Sequence, residues 1–323
     1  MSDKTYHVAI VGATGVVGQA FVRILEKRNF PVGSLRLLAS ERSSGKHLMF
    51  NGKAIPVELI SERAFEGIDL AFFSAGADVS KDFVPIAAGK GAIVIDNTSQ
   101  FRMEPDVPLV VPEVNAHRIA YCKKRRIIAN PNCSTIQLVV VLHALRQRAK
   151  IKRVVVATYQ SVSGAGLEAI ETLSKHGERS FDCVPHIDRF LEDGYTKEEW
   201  KMMNETSKIM EEKIPMTATC VRVPVFYGHS EAVNIEFESA LLAEEARKIL
   251  KETPGVAVVD DPASDQYPLA VDCAGKDPIF VGRIREDKTV PHGLSLWIVA
   301  DNVRKGAALN AIQIVEGVKS QVD

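Results

Sequence analysis

The chain has no long hydrophobic run, no CxxC pair, no internal repeat and almost no net charge, and each absence removes a class of protein. No stretch approaches the roughly 20 apolar residues that a bilayer-spanning helix needs, so no membrane partner is expected. The polar segment Met1 to His7, ahead of a short apolar run from Val8 to Val11, does not resemble a signal peptide. Five cysteines, an odd number, argue against a disulfide framework and against a zinc site, so the expectation is reducing cytoplasm and no metal. With a formal net charge of -1, no global field draws the chain to nucleic acid or to an anionic membrane. The basic cluster Lys123-Lys124-Arg125-Arg126 reads as a solvated loop before a buried strand. What remains is a globular chain of 323 residues, 46% hydrophobic and 25% charged, long enough for about two domains with real cores.

The stretch Asn130-Pro131-Asn132-Cys133-Ser134-Thr135 stands between a strand-like run, Ile127 to Ala129, and a helix-like apolar run, Ile136 to Leu145. This spacing predicts Cys133 at the mouth of a helix. There the positive end of the dipole and unsatisfied N–H groups favour the thiolate, which is the nucleophile. Pro131 stops the helix from starting earlier, and Asn132 offers a side-chain oxygen or amide beside the sulfur. A free cysteine is also a common small core residue, and the local pattern leaves both readings open.

Near the start, His7 to Val11 reads as a strand, Gly12-Ala13-Thr14-Gly15-Val16-Val17-Gly18 as a turn, and Val17, Phe21, Ile24 and Leu25 follow helical spacing. Strand, glycine turn and helix is the context of a dinucleotide site, where the glycines allow close backbone approach and the helix N-terminus receives a pyrophosphate. The spacing here is GxxGxxG rather than GxGxxG. A second strand, Leu35 to Ser40, leads to Glu41-Arg42-Ser43-Ser44-Gly45-Lys46. An acid at that position suits the free ribose hydroxyls of NAD, while Arg and Ser suit the extra phosphate of NADP. Glu41 could serve the first, but Arg42-Ser43 with Lys46 points to NADP. Strands at Asp69 to Phe73 and Ala92 to Asp96, with a helix at Val79 to Ala88 between them, imply a Rossmann-like, doubly wound parallel sheet. Its ligand edge would carry the glycine turn, Arg42, Ser74 and Asn97-Thr98-Ser99. Beyond it, Arg102 is a candidate anion clamp, and the prolines at 105, 108 and 112 predict an extended path.

Past the Cys133 helix come a strand at Lys152 to Tyr159, the glycine-rich turn Gln160 to Gly166 and helices near Leu167 to His176 and Tyr195 to Glu211. Glu205 and Lys208 share a face of the latter, the spacing of an ordinary helical ion pair. Strands at Thr217 to Val225, Ala232 to Glu238, Ile279 to Arg285 and Leu294 to Ala300 suggest a mixed or antiparallel sheet with one face free for a partner. Between two of them, His229 alone of the eight histidines sits in a glycine-marked turn between strands, seven residues after Arg222. A cysteine at a helix mouth, an imidazole and a nearby arginine are the parts of a thiol acyl-transfer site. The segment Val303 to Val318 reads as a helix that packs back on the first domain.

Taken together, the glycine turn, Arg42-Ser43, Ser99-Gln100-Phe101-Arg102, Pro108 to Asn115, Asn130 to Thr135, Gln160 to Gly166, Glu205 to Lys208, Arg222 to Val225, Gly228-His229-Ser230 and Asp301 to Ala308 resemble the aspartate-semialdehyde dehydrogenase family, nearly end to end and in its order. The resemblance implies NADPH-dependent reductive dephosphorylation of L-aspartyl-4-phosphate to L-aspartate semialdehyde, in the biosynthesis of lysine, threonine, methionine and diaminopimelate. It assigns Cys133 as the nucleophile that forms a thioester and expels phosphate, and His229 as the acid/base. Arg222 would bind the substrate carboxylate, Glu205 its ammonium, and Lys208 with Arg102 the phosphate, while Gln160 and Asn132 orient the substrate and the acyl group. Gly12, Thr14, Gly15, Val16, Val17, Arg42, Ser43 and Ser74 would hold the cofactor, with Ser163, Gly164 and Asn302 near its nicotinamide. It also implies a homodimer in which the second-domain sheets meet, with a tetramer left open.

The domains expected are an NADP-binding domain over 1–132, joined by a C-terminal helix at 303–323, and an α+β catalytic and dimerisation domain over 133–302. Three other readings stand beside this one: a reductase of N-acetylglutamyl phosphate, a phosphorylating dehydrogenase of the glyceraldehyde phosphate type, and a non-catalytic relative kept for binding. The first has no substrate ammonium for Glu205, the motifs differ from the second, and the retained Cys133 and His229 speak against the third. Cys122, Cys183, Cys220 and Cys273 read as packing residues, with Cys220 able to line the pocket because it shares a strand face with Arg222.

Overall fold

The computed structural model describes residues 5–176 and 182–322. The chain divides into two compact units, one of Met1–Pro131 with Ala307–Asp323 and one of Asn132–Gly306. In the first, the elements run β1 (Tyr6–Val11), α1 (Val16–Lys27), β2 (Val32–Ala39), β3 (His47–Phe50), β4 (Lys53–Leu59), β5 (Leu70–Phe73), α2 (Ala77–Gly89), β6 (Ile93–Asp96), α3 (Pro112–Asn115) and β7 (Ile127–Ala129). They form a seven-stranded sheet in the order β3-β4-β2-β1-β5-β6-β7. Every neighbouring pair is parallel except β3 with β4. The chain winds outward from β1 through β2, then returns to β5 on the other side of β1, so the switch in direction lies at β1. In such sheets ligands bind there, at the carboxyl ends of the strands. β5 and β7 are wholly buried, as parallel strands covered on both faces require.

The sequence did not suggest the hairpin of β3 and β4. Its strands are short and half exposed, so hydrophobic alternation is weak, yet its turn was legible. Asn51 and Gly52 both take positive φ, 47° and 74°, as an Asn-Gly hairpin turn demands. The proline-punctuated stretch is not extended throughout: it turns at Pro105 and Asp106 and is extended only around Leu109, which bridges Ala129, as far as Val111. Pro112 then opens α3, because proline suits the first helical position, where its missing N–H is no loss. The C-terminal helix, Leu309–Val322, packs against α1 and α3, and Arg28 donates two hydrogen bonds to Glu316 across the first of these contacts. It starts later than Val303 because a wider π-type turn, Arg304–Ala308, precedes it.

The second unit runs α4 (Cys133–Arg146), β8 (Ile151–Gln160), α5 (Leu167–His176), α6 (Lys197–Met210), β9 (Met216–Arg222), β10 (His229–Phe237), α7 (Ala243–Glu252), β11 (Val256–Val258), α8 (Ala270–Cys273), β12 (Ile279–Asp287) and β13 (Gly293–Ala300). Its sheet has the order β11-β12-β13-β10-β8-β9 and is mixed: β8 with β9 and β11 with β12 are parallel, the rest antiparallel. Helix α4 packs on β8 and β13 and touches α6 and α7. Ile136, Leu138, Val139, Val141, Leu142 and Leu145 are each 0% exposed. At roughly 2 kcal/mol for each such side chain, their burial makes α4 a substantial anchor of the unit. Tyr159 and Trp297, in ring contact with each other, mark the other sheet face. Helix α7 is strongly amphipathic, with Ala243, Ala246 and Leu250 buried, although the sequence expectations above place no helix there. Among the described residues no helix is long and apolar enough to cross a membrane.

Candidate functional site

The first unit holds a cavity of about 240 Å³ lined by Gly12, Thr14, Gly15, Ser40, Arg42, Ser43 and Ser74 among others. These residues come from the carboxyl ends of β1, β2 and β5. The glycines are there because nothing larger fits. Gly12 has φ +80°, and a Cβ on it would lie 2.9 Å from the Ser74 carbonyl carbon. A Cβ on Gly18 would meet the Gly12 oxygen at 2.1 Å, so the helix seats directly on the turn. The N-terminus of α1 follows this turn directly, an arrangement that suits a pyrophosphate. Val16 and Val17 begin α1 without lining the cavity. Glu41, the acid at the end of β2, is also absent from its wall.

In the second unit Cys133 is the first residue of α4, half-buried and outside any disulfide. Asn132 caps the helix: its Oδ1 accepts from the N–H groups of Ser134 at 3.0 Å and Thr135 at 3.2 Å. Two carboxylates of α6 hold Asn132 in turn. Glu205 accepts from its backbone N–H at 2.7 Å, and Glu198 from its Nδ2 at 2.7 Å. Residues 198 and 205 are two helical turns apart and so share a face. Helix α6 is itself fixed by a capping box between Thr196 and Glu199. Behind Cys133 the backbone comes close, since a Cβ on Gly306 would sit 2.9 Å from the Cys133 Cβ.

The sheet supplies the other groups in one row. Gln160 ends β8 and Arg222 ends β9, the two in register, while His229 begins β10. Gln160 Nε2 donates to Glu198 at 3.3 Å, and Arg222 donates to the Ser161 carbonyl at 2.6 Å. Burial lowers the Arg222 pKa, and a Cys133 thiolate nearby works against that by favouring the charged guanidinium. His229 is fully buried, and burial together with Arg222 brings its pKa down to about 3. Its Nδ1 accepts the Ser161 N–H at 3.0 Å. The neutral ring therefore carries its proton on Nε2, which has no hydrogen-bond partner. That N–H points where Gly164 leaves room: a Cβ there would lie 3.3 Å from Nε2 and 3.2 Å from the Arg222 guanidinium. Asn302 ties the surrounding loops together, accepting from the Gly228 N–H at 2.9 Å and the Ser161 hydroxyl at 3.1 Å, and donating to Ser163 at 3.0 Å.

Thus Cys133, Asn132, Gln160, Glu205, Arg222, His229, Ser163, Gly164 and Asn302 all belong to the second unit, and the contacts above link most of them. Lys208 is half-buried on α6. Arg102 belongs to the first unit, buried, donating from Nε to the Asn130 carbonyl at 2.9 Å and from a terminal nitrogen to the Asn97 carbonyl at 2.7 Å. Sequence reasoning missed Glu198 and Ser161. The seven-residue spacing to Glu205 could have pointed to the first, whereas a backbone N–H leaves no side-chain signal for the second. Among the other cysteines, Cys122, Cys220 and Cys273 are buried, but Cys183 is exposed and is not a packing residue. Cys220 lies against Met202 with burial pushing its thiol pKa up, so it is a core group. Among the described residues no cluster of His, Cys, Asp or Glu has the arrangement to hold a metal ion.

A glycine-lined cavity in one unit, with a helix-mouth cysteine and a buried histidine in the other, suits a two-domain semialdehyde dehydrogenase. The family models described as the semialdehyde dehydrogenase NAD binding domain and dimerisation domain match residues 7–121 and 142–305. The chain is 54% identical to the aspartate-semialdehyde dehydrogenase of Aquifex aeolicus, covering 96% of this chain and 97% of that one. It matches the crystal structure of aspartate semialdehyde dehydrogenase II complexed with ASA from Vibrio cholerae with a TM-score of 0.95 and 46% identity, over 98% of this chain and 99% of that one. A Candida albicans aspartate semialdehyde dehydrogenase structure with NADP aligns with a TM-score of 0.79 and 27% identity, over 98% and 99% of the two chains. The chain belongs to the aspartate-semialdehyde dehydrogenase family.

Proposed function

We propose that this chain reduces L-aspartyl-4-phosphate to L-aspartate 4-semialdehyde, reversibly, through a thioester on Cys133. The observation that carries the reading is the capped helix mouth at Cys133 with the Arg222, Gln160 and His229 row in the same unit. The helix N-terminus favours the thiolate, which attacks the acyl carbon as the bond to phosphate breaks and phosphate leaves. Arg222 offers a two-pronged contact to the substrate carboxylate, and Gln160 and Asn132 orient the acyl group. Glu205 suits a substrate ammonium, which favours the aspartyl compound over N-acetylglutamyl phosphate. Lys208 and Arg102 are the proposed phosphate ligands. The nicotinamide cofactor, when bound, would supply the hydride for the thioester carbonyl, and the carbon–sulfur bond then breaks to release the aldehyde and restore the Cys133 thiolate. His229 presents its Nε2–H to the oxygen that gains charge, and an anionic substrate arriving beside it would raise its pKa toward that of a proton donor.

The glycine cradle fits a dinucleotide, and the proposed cofactor is NADP. Arg42, Ser43 and Ser40 line the cavity wall where the ribose would be read, and Glu41 does not. Ser163, Gly164 and Asn302 are proposed to flank the nicotinamide, and Val16 and Val17 to support the pyrophosphate turn. The working form proposed is a cytoplasmic homodimer joined through the second-unit sheets, serving amino-acid biosynthesis. Phosphate-dependent reduction of NADP with L-aspartate semialdehyde tests this directly. Preference for N-acetylglutamate semialdehyde, or activity independent of phosphate, would overturn it. Replacing Arg42 with Ala should raise the KM for NADP about tenfold and leave that for NAD little changed, the loss of one charge-assisted phosphate contact.

A further inference from the structure

Glu231 is a buried, charged-type side chain that the mechanism above does not use. It lies on β10 two residues from His229, on the same strand face, and is 0% exposed. Its register partners, Thr158 on β8 and Ile298 on β13, are uncharged. Neither of its carboxyl oxygens has a hydrogen-bond partner of good geometry, and its polar neighbour is Gln137 of α4: burial raises the Glu231 pKa, and the Gln137 side chain lowers it by less. Gln137 stands one helical turn after Cys133. Its Nε2 donates to the His229 carbonyl at 3.3 Å, and its Oε1 is also buried without a partner. The neighbouring Glu231 and Gln137 side chains thus bury acceptor oxygens with no donor, which is costly. A proton on Glu231 supplies the donor.

We propose that Glu231 is a positioning residue: a neutral carboxylic acid whose O–H donates to Gln137 Oε1 and so keeps the Gln137 amide nitrogen on the His229 carbonyl. The link joins the helix that carries the nucleophile to the strand that carries the imidazole. An ionised Glu231 would instead draw the amide nitrogen to itself and release the His229 carbonyl. Burial raises its pKa well above the usual carboxylate range, and the contact with Gln137 offsets only part of that rise. The role rests on the reading of Cys133 and His229 as the reacting pair.

The first test needs no substrate. Infrared spectra of the full-length protein, with carbon-13 placed selectively in glutamate carboxyl groups, should show at neutral pH a neutral carboxylic acid band that shifts with the label and is missing from Glu231→Gln. Absence of that band overturns the proposal, whatever the enzyme's substrate proves to be. In the phosphate-dependent assay Glu231→Gln, whose amide can still donate to Gln137, should keep kcat within about threefold of native, while Glu231→Met should lose about tenfold with KM little changed. Equal impairment in both variants, or none in the methionine variant, refutes the role. If Glu231→Met fails to fold, Gln137→Met removes the same link from the helix side and should show the same kcat loss, and native kcat in it would refute the link.

Discussion

Replacing Gly306 with Ala moves the nucleophile without touching its chemistry. The added Cβ would stand 2.9 Å from the Cys133 Cβ and 3.3 Å from its Cα. Ordinary carbon contacts begin near 3.5 Å, so roughly 0.6 Å must be found. The obstructing atoms cannot swing aside, because they belong to the first residue of a capped and buried helix. Overpacking of this kind costs about 1–3 kcal/mol of stability, and a displacement of that size at a reacting atom costs on the order of 100-fold in rate. The assay is kcat for phosphate-dependent aldehyde oxidation, with the rate of Cys133 alkylation and thermal unfolding measured alongside. The variant should fold, with kcat reduced far more than a change in KM could explain. Native kcat in a folded Gly306→Ala protein would refute the claim that the π-type turn sets the position of the sulfur.

Other outcomes follow from the same contacts. Asn132→Ala removes the helix cap and a hydrogen bond to the buried Glu198, which should cost about 2–3 kcal/mol in denaturant unfolding. Asn132→Asp keeps a capping oxygen but sets a second carboxylate against Glu198, so it should be no more stable than the alanine variant, and full stability in either would count against the double anchoring. His229, near 3 in the fold and 6.5 when unperturbed, is neutral in the folded chain while the unfolded chain takes up a proton below about pH 6.5. Stability should therefore fall as pH drops from about 6.5 toward 3, by up to roughly 5 kcal/mol from this group. His229→Asn should lose that part of the slope, and an unchanged slope would show that the ring is not held neutral.

The parts of the molecule most legible in its sequence were those set by local backbone rules. The proline and asparagine before Cys133 predicted a helix start, and Asn132 does cap α4. The glycine turn predicted close approach of backbone, and Gly12 and Gly18 leave no room for a Cβ. Less legible were features created by register and by backbone donors. That Gln160 and Arg222 stand side by side depends on how β8 and β9 align, which no local pattern specifies. The Ser161 N–H that selects the His229 tautomer has no residue-type signature. Glu198 looked like one more acid at the start of a polar helix until tertiary packing buried it against Asn132.

The central claim is a covalent acyl group on Cys133. Incubating the native protein with L-aspartate semialdehyde and NADP in the absence of phosphate should leave an aspartyl thioester, with one burst of NADPH per active site, located on the Cys133 peptide by mass spectrometry. Added phosphate should discharge it, and Cys133→Ala should show neither burst nor adduct. A burst that survives in the alanine variant, or an adduct on another residue, would contradict the account.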